Sequence, residues 1–341
     1  MTDESVLQIL VGTFCAKGEI TAQDVLQLRG QVFPDGIVST AEAKAVFRLD
    51  QSCKIKDPDW TRFYVDVLTD YFVWQSNPRG YVSEEQAAQL IEEINRDGHV
   101  DATSELELLI NIVHWCTHCP ESLALLALEA IKESILSPGT ACYGSNRPPA
   151  IITPSDVELI RKVIYAPGSP GGFTVTRGEA ELLTTLDRAT DAEDNVATWP
   201  DLFAKAVANA LMFPRGAPIV PDAQEALRRE RWLEERRGIG ELLLGVGKAL
   251  FKGDVPIREA AREVDVTGAN RARAASEEDD AIFHDAMARE AIDREEAHWL
   301  IGKIGGAGGL TKGAVQLLRF IKNNSPSIDP ALEPLFHKAG I

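Results

Sequence analysis

The sequence predicts an all-α protein built from tandem three-helix repeats, and three observations carry that prediction. Apolar residues recur at the i, i+3, i+4 spacing of a buried helix face. Side chains suited to cap a helix stand at the start of each such stretch. The stretches also return in the same order along the chain, the sign of a repeat architecture.

Ile20-Thr-Ala-Gln-Asp-Val-Leu-Gln-Leu28 matches Ile152-Thr-Pro-Ser-Asp-Val-Glu-Leu-Ile160. Each continues through a turn with Gly36 or Gly172 into Val38-Ser-Thr-Ala-Glu42 or Val175-Thr-Arg-Gly-Glu179. Both then reach a Leu-Asp pair, Leu49-Asp50 or Leu186-Asp187, and a tryptophan, Trp60 or Trp199. Another copy starts at Val82, turns at Asp97-Gly98 and resumes at Glu105, and a last one starts at Ile292. Its ending, Asp329-Pro-Ala-Leu-Glu-Pro-Leu-Phe336, echoes Asp57-Pro-Asp-Trp-Thr-Arg-Phe-Tyr64.

In each unit the first helix carries apolar positions such as Ile20, Val25, Leu28 and Val32, and the second carries Ala43, Val46 and Phe47. The third follows a proline or tryptophan and runs through Phe63, Val67, Leu68 and Tyr71, or through Leu202, Phe203, Ala206 and Ala210. Thr21 with Asp24, Ser83 with Gln86, Thr153 with Asp156 and Asp293 with Glu296 have the spacing of a capping box. Pro58, Pro120, Pro154 and Pro330 suit a first helical turn, where a missing N–H costs nothing. Residues 1–216 are therefore expected to hold tandem repeats, with units from about 20, 82 and 152. Residues 217–280 form a helical linker or degenerate repeat, which could begin near Val220, and 281–341 a C-terminal unit. Gly139–Pro149 and 264–280 have loop or linker composition. The Gly-spaced apolar run Ile239–Phe251 reads as a core or docking helix.

Composition excludes several function classes. The chain has 341 residues, with 52 acidic against 35 basic ones and a formal charge of −17. An acidic surface disfavours nucleic acid, whose phosphates call for a net basic face. No stretch is apolar for long enough to span a membrane. Asp3 and Glu4 precede the run Val6–Ala16 where a signal peptide would carry Lys or Arg. Five cysteines, an odd number, do not make a disulfide framework, so a cytoplasmic protein with reduced thiols is expected.

Two clusters carry chemistry. An Asp-Gly-x-Val-x-x-x-Glu run between helices has the look of a calcium loop, which needs oxygens at positions 1, 3, 5, 7, 9 and 12 around a glycine. Around Gly36 the positions fall on Gln31, Phe33, Asp35, Ile37, Ser39 and Glu42, and Phe33 offers no ligand. Around Gly98 the candidate metal ligands are Asn95, Asp97 and Asp101, with Glu105 one residue late. A simpler cause of the recurring glutamate is a capping box, Ser39 with Glu42 and Thr176 with Glu179. Structural turns are the expectation, with a divalent cation such as Ca²⁺ as the alternative.

The second cluster is His114-Trp-Cys116-Thr-His118-Cys119-Pro120. Trp-Cys-x-x-Cys is the pattern of a thioredoxin-like redox pair, but such a site follows a strand and this one follows a helix. Cys116, Cys119, His114 and His118 are candidate Zn²⁺ ligands, though a structural site draws ligands from a second segment as well. The favoured expectation is an inter-helix loop without cofactor.

The turn Asp35-Gly36 through Glu42, with Leu49-Asp50, Trp60 and the same features again through Trp199, resembles EF-hand-like turns and the helical domains of TerB-type tellurite-resistance proteins. The arrangement over about residues 20–213 is similar to a group of alphaproteobacterial helical-repeat proteins. That resemblance implies a fold and no assigned activity. The expected function is a non-enzymatic interaction or scaffold protein with a protein partner. The alternatives are a metal-responsive stress protein of the TerB type and a thiol redox protein using Cys116 and Cys119.

Overall fold

Thirteen α-helices carry most of the described residues of the computed structural model. Those residues are 3–32, 36–94, 100, 103–137, 149–166, 168, 174–212, 291–306 and 309–341. In chain order the helices are α1 (Asp3–Lys17), α2 (Ala22–Val32), α3 (Thr40–Ser52), α4 (Pro58–Thr69), α5 (Glu84–Ile94), α6 (Thr103–Trp115) and α7 (Glu121–Leu136). They continue as α8 (Pro154–Ile164), α9 (Arg177–Thr190), α10 (Trp199–Met212), α11 (Arg294–Ile304), α12 (Lys312–Asn324) and α13 (Glu333–Ala339). Met1–Phe213 and Ile292–Ile341 form one compact unit, and Pro214–Ala291 is counted apart from it. The expected copy near Val220, the 239–251 segment and the 264–280 linker lie outside the described residues, as does most of Gly139–Pro149.

The helix starts are chemical. Ser39, Thr176, Thr153 and Asp293 each accept a hydrogen bond from the backbone N–H three residues on. The Glu or Asp at that third position reaches back to the cap residue's own N–H, so two otherwise unpaired donors are satisfied at each start. Thr21 with Asp24 and Ser83 with Gln86 exchange the same bonds. Pro58, Pro154 and Pro330 sit in first turns, while Pro120 is the residue just before α7.

Among the described residues, sheet is confined to two-residue strands. β1 (Glu19–Ile20) pairs in parallel with β2 (Ile55–Lys56). Ile20 is thus a strand residue ahead of α2 and not the helical position its spacing suggests. The same junction recurs: single parallel bridges join Tyr81 to His118 and Ile292 to Ile328, and the Val196 N–H reaches the Ile152 carbonyl at 3.0 Å. Each of these contacts ties the start of one helix to the approach of the helix two further on.

The core runs through the compact unit. Trp60, Trp199, Tyr64, Phe47, Phe63, Phe72 and Phe203 are among its largest fully buried side chains. Burying a side chain of Phe size contributes roughly 1.5–3 kcal/mol. α4 packs on α6 and α10 packs on α12, while α7 packs against both α8 and α9. No helix among the described residues is long and apolar enough to cross a membrane.

Candidate functional site

The two Leu-Asp pairs place a carboxylate inside the core. On α3, Asp50 Oδ1 accepts from Trp60 Nε1 at 2.6 Å and from Lys56 Nζ at 2.7 Å. The Ser104 hydroxyl, in the first turn of α6, lies 3.1 Å from both Asp50 oxygens. On α9, Asp187 Oδ1 accepts from Trp199 Nε1 at 2.9 Å. Its other oxygen accepts from the hydroxyl of Thr311, the N-cap of α12. Thr311 Oγ1 also accepts from Ala314 N–H at 2.9 Å, so one hydroxyl serves the cap and the carboxylate together. The clasp is tight enough to dictate a glycine. A Cβ on Gly313 would stand 2.4 Å from Asp187 Oδ1.

The two clasps differ in charge balance. Asp50 has an ammonium partner. Asp187 has none among the described residues, and burial pushes its carboxyl above the usual range. The Thr311 and Trp199 hydrogen bonds pull the other way, and Asp191 nearby pushes it up further. The N-terminus of α12 favours negative charge at this point. A general base needs a lone pair open to a substrate proton. The Asp50 oxygens are spent on indole, ammonium and hydroxyl donors, so that group acts as a tie between helices.

The cysteine–histidine cluster is divided by the fold. Cys116 and Cys119 are both buried, with the thiols in contact and Cys116 Sγ 3.4 Å from the Val113 carbonyl. The bond with Cys116 and burial together drive the Cys119 thiol far above its ordinary pKa, the opposite of an activated nucleophile. Gly168 closes over them: its carbonyl accepts from Cys119 N–H at 2.9 Å, and a Cβ there would meet Cys116 Sγ at 2.3 Å. His114 instead packs edge-on against Trp115, and His118 lies tilted against Tyr81. Among the described residues no three His, Cys, Asp or Glu side chains stand together as a metal would need. The four proposed Zn²⁺ ligands are therefore not one set.

Of the calcium-loop candidates, Asn95, Asp97 and Asp101 lie outside the described residues. Glu105 is buried in the first turn of α6. In the earlier loop, Glu42 is committed to its cap, accepting from Ser39 N–H at 2.7 Å.

Sequence reasoning misses a groove beside a single turn of π-helix, Asp70–Trp74. Such turns shift the side-chain register of a helix and occur frequently at functional sites. The groove, of about 450 Å³, is lined by Arg29, Phe63, Asp66, Thr69, Asp70, Trp74 and Asn111. Asn111 is held on both sides, giving a bond to Thr69 Oγ1 at 2.8 Å and taking one from Trp115 Nε1 at 3.1 Å. Trp115 is 48% exposed, its ring 6.3 Å from that of Trp74. The Arg79 guanidinium covers the other ring at 5.1 Å. Burial and the neighbouring Asp66 raise the Asp70 carboxyl, against an opposing pull from Arg79. The arrangement sets the exposed Trp115 indole beside two carboxylates, Asp66 at 4.0 Å from the Arg29 guanidinium and Asp70 near Arg79. The tryptophans were visible in the sequence, but nothing in its periodicity announces the extra residue that turns them together. No protein-family model, curated protein or solved structure matches the chain.

Proposed function

We propose that this is a non-enzymatic interaction protein that docks a basic segment of a partner protein in the groove beside the π-helical turn. The observation that carries the reading is the Trp74–Trp115 pair bordering an open groove that also holds Asp66 and Asp70. Trp and Arg dominate the energetics of protein interfaces, and a half-exposed indole already fixed by Asn111 loses little freedom on binding. A lysine or arginine stem would lie along the exposed Trp115 indole with its charge toward Asp66 and Asp70. The net charge of −17 favours capture of a basic partner over distance. The commitment of Asp50 to structural ties supports a binding role over a catalytic one.

We infer further that the four helical stretches are copies of one three-helix unit used in pairs, the first of each pair giving Asp and Trp and the second giving the hydroxyl. A cytoplasmic setting follows from the cysteine usage. The test is a binding screen of the full chain against basic peptides, read by fluorescence anisotropy. Peptides that bind wild type should lose at least tenfold in affinity with Trp115→Ala, and again with Asp66→Lys. Binding indifferent to both changes would overturn the groove as the docking site.

A further inference from the structure

We propose that the cavity between α9, α10, α11 and α12 binds a primary ammonium group held on Asp187. The cavity is about 250 Å³, room for roughly eight waters, and is lined by Thr184, Asp187, Asp191, Phe203, Lys303 and Thr311, among others.

Its existence follows from one difference between the two clasps. Counted from the capping boxes at Ser39 and Thr176, Asp50 corresponds to Asp187 and Phe47 to Thr184. Counted from the two tryptophans, Tyr64 corresponds to Phe203. In the first clasp the Phe47 ring is buried edge-on against Tyr64, with centroids 5.9 Å apart. In the second a threonine stands in its place, and its hydroxyl is turned to the Glu181 carbonyl at 2.8 Å. A ring's worth of volume is left open beside a carboxylate that is only 4% exposed.

The chemistry of the missing occupant is written in the first clasp. There Lys56 Nζ completes Asp50 at 2.7 Å. Trp60 N–H bonds the Asp57 carbonyl and Trp199 N–H bonds the Val196 carbonyl, which sets Asn195 at the place of Lys56. Asn195 is fully occupied elsewhere, accepting from Ile152 N–H and donating to the Thr190 carbonyl, each at 2.8 Å. The cations near the cavity are also engaged. Lys303 Nζ sits 3.0 Å from Glu181, and the Arg188 guanidinium donates to the Lys303 carbonyl. Among the described residues no ammonium or guanidinium group meets Asp187 or Asp191. A buried carboxylate without a counter-charge is costly, and a cation that supplies one gains the full low-dielectric attraction. The raised Asp187 carboxyl agrees with this uncompensated state.

An ammonium can arrive on a free amine or on the lysine side chain of a protein, and the experiment separates the two. Full-length protein is titrated with propylammonium, with neutral 1-propanol, and with a short peptide carrying one lysine. The readout is the indole ¹H–¹⁵N resonance of Trp199, with Trp60 in the same spectrum as the internal control. Propylammonium should move Trp199 in a saturable way and leave Trp60 in place, and 1-propanol should move neither. Asp187→Asn, which keeps the size and removes the charge, should abolish the shift. Thr184→Phe, which restores the ring and keeps the carboxylate, should abolish it as well. A shift with the peptide too assigns the site to a partner's lysine, and a shift with the free amine alone assigns it to a small molecule. A Trp199 resonance that ignores propylammonium, or that moves equally in Asp187→Asn, overturns the proposal.

Discussion

The indole N–H of Trp199 meets Oδ1 of Asp187 at 2.9 Å, twelve positions along the chain and one helix away. The equivalent bond from Trp60 to Asp50 is 2.6 Å. In both places the second oxygen is reached by a hydroxyl from far along the chain, Ser104 or Thr311. A carboxylate, an indole and a hydroxyl thus bind three helices at one point. Such a tie is specific because an unsatisfied buried oxygen costs about 1–3 kcal/mol.

The two ties should respond oppositely to removal of charge. Asp50 is paired with Lys56, so Asp50→Ala strands an ammonium whose side chain is 22% exposed and should cost roughly 3 kcal/mol. Asp187 has no cation among the described residues, and its carboxyl is raised above the value in the unfolded chain. The folded state therefore holds that proton more tightly, and stability falls as pH rises from the unfolded value through the folded one. Asp187→Asn should remove this slope and gain on wild type above that window. Urea unfolding at several pH values checks both, and an Asp187→Asn variant that loses ground as pH rises would contradict the assignment.

Gly313 should be the most sensitive glycine in the last helices. A Cβ there overlaps Asp187 Oδ1, so Gly313→Ala is expected to cost about 1–3 kcal/mol through strain in a packed site. Gly302, in α11, has nothing within 4 Å of an added Cβ. Gly302→Ala should instead stabilise, by up to about 1 kcal/mol, through helix propensity alone. Thermal unfolding of the two variants side by side gives the comparison.

Thr184→Phe should stabilise the protein as well as close the cavity. A ring of that size fits at Phe47 in the first clasp, and filling a void commonly adds about 0.5–2 kcal/mol. A loss of stability would mean that Phe203 and α12 leave no room for the ring.

How much of this was legible follows from the range of each interaction. Ser39 with Glu42 and Thr153 with Asp156 act over three residues, so the spacing alone reveals them, and the all-helical architecture comes with them. Leu49-Asp50 and Leu186-Asp187 stand in register, and the sequence shows that they correspond. It does not show that Thr311 completes Asp187, because that contact spans more than a hundred residues and any hydroxyl would read alike. The π-helical turn at Asp70–Trp74 has no local signature, so the groove stayed hidden. His114 and His118 are parted for a similar reason. Their closeness in sequence straddles a helix end, and the fold sends each to a different aromatic neighbour, Trp115 and Tyr81.

The thiols give the last prediction. Spacing alone treats Cys116 and Cys119 as residues of an ordinary loop, whose replacement by serine would change stability little. Burial alters that expectation. Cys119 has no exposed surface, its thiol is bonded to Cys116, and its pKa is driven up by that bond, by burial and by Glu179. A serine in its place must bury a hydroxyl where a weakly polar sulfur sat, at a cost of about 1–3 kcal/mol. The thiolate is the reactive form, so the same features should protect the pair from alkylation. Among the described cysteines of native protein treated with iodoacetamide at neutral pH, the partly exposed Cys15 should be labelled first, with Cys53, Cys116 and Cys119 labelled only on unfolding. Peptide mass spectrometry reads this directly. Labelling of Cys119 as fast as Cys15 would show that the Gly168 cover opens in solution, and would return the pair to consideration as a redox centre.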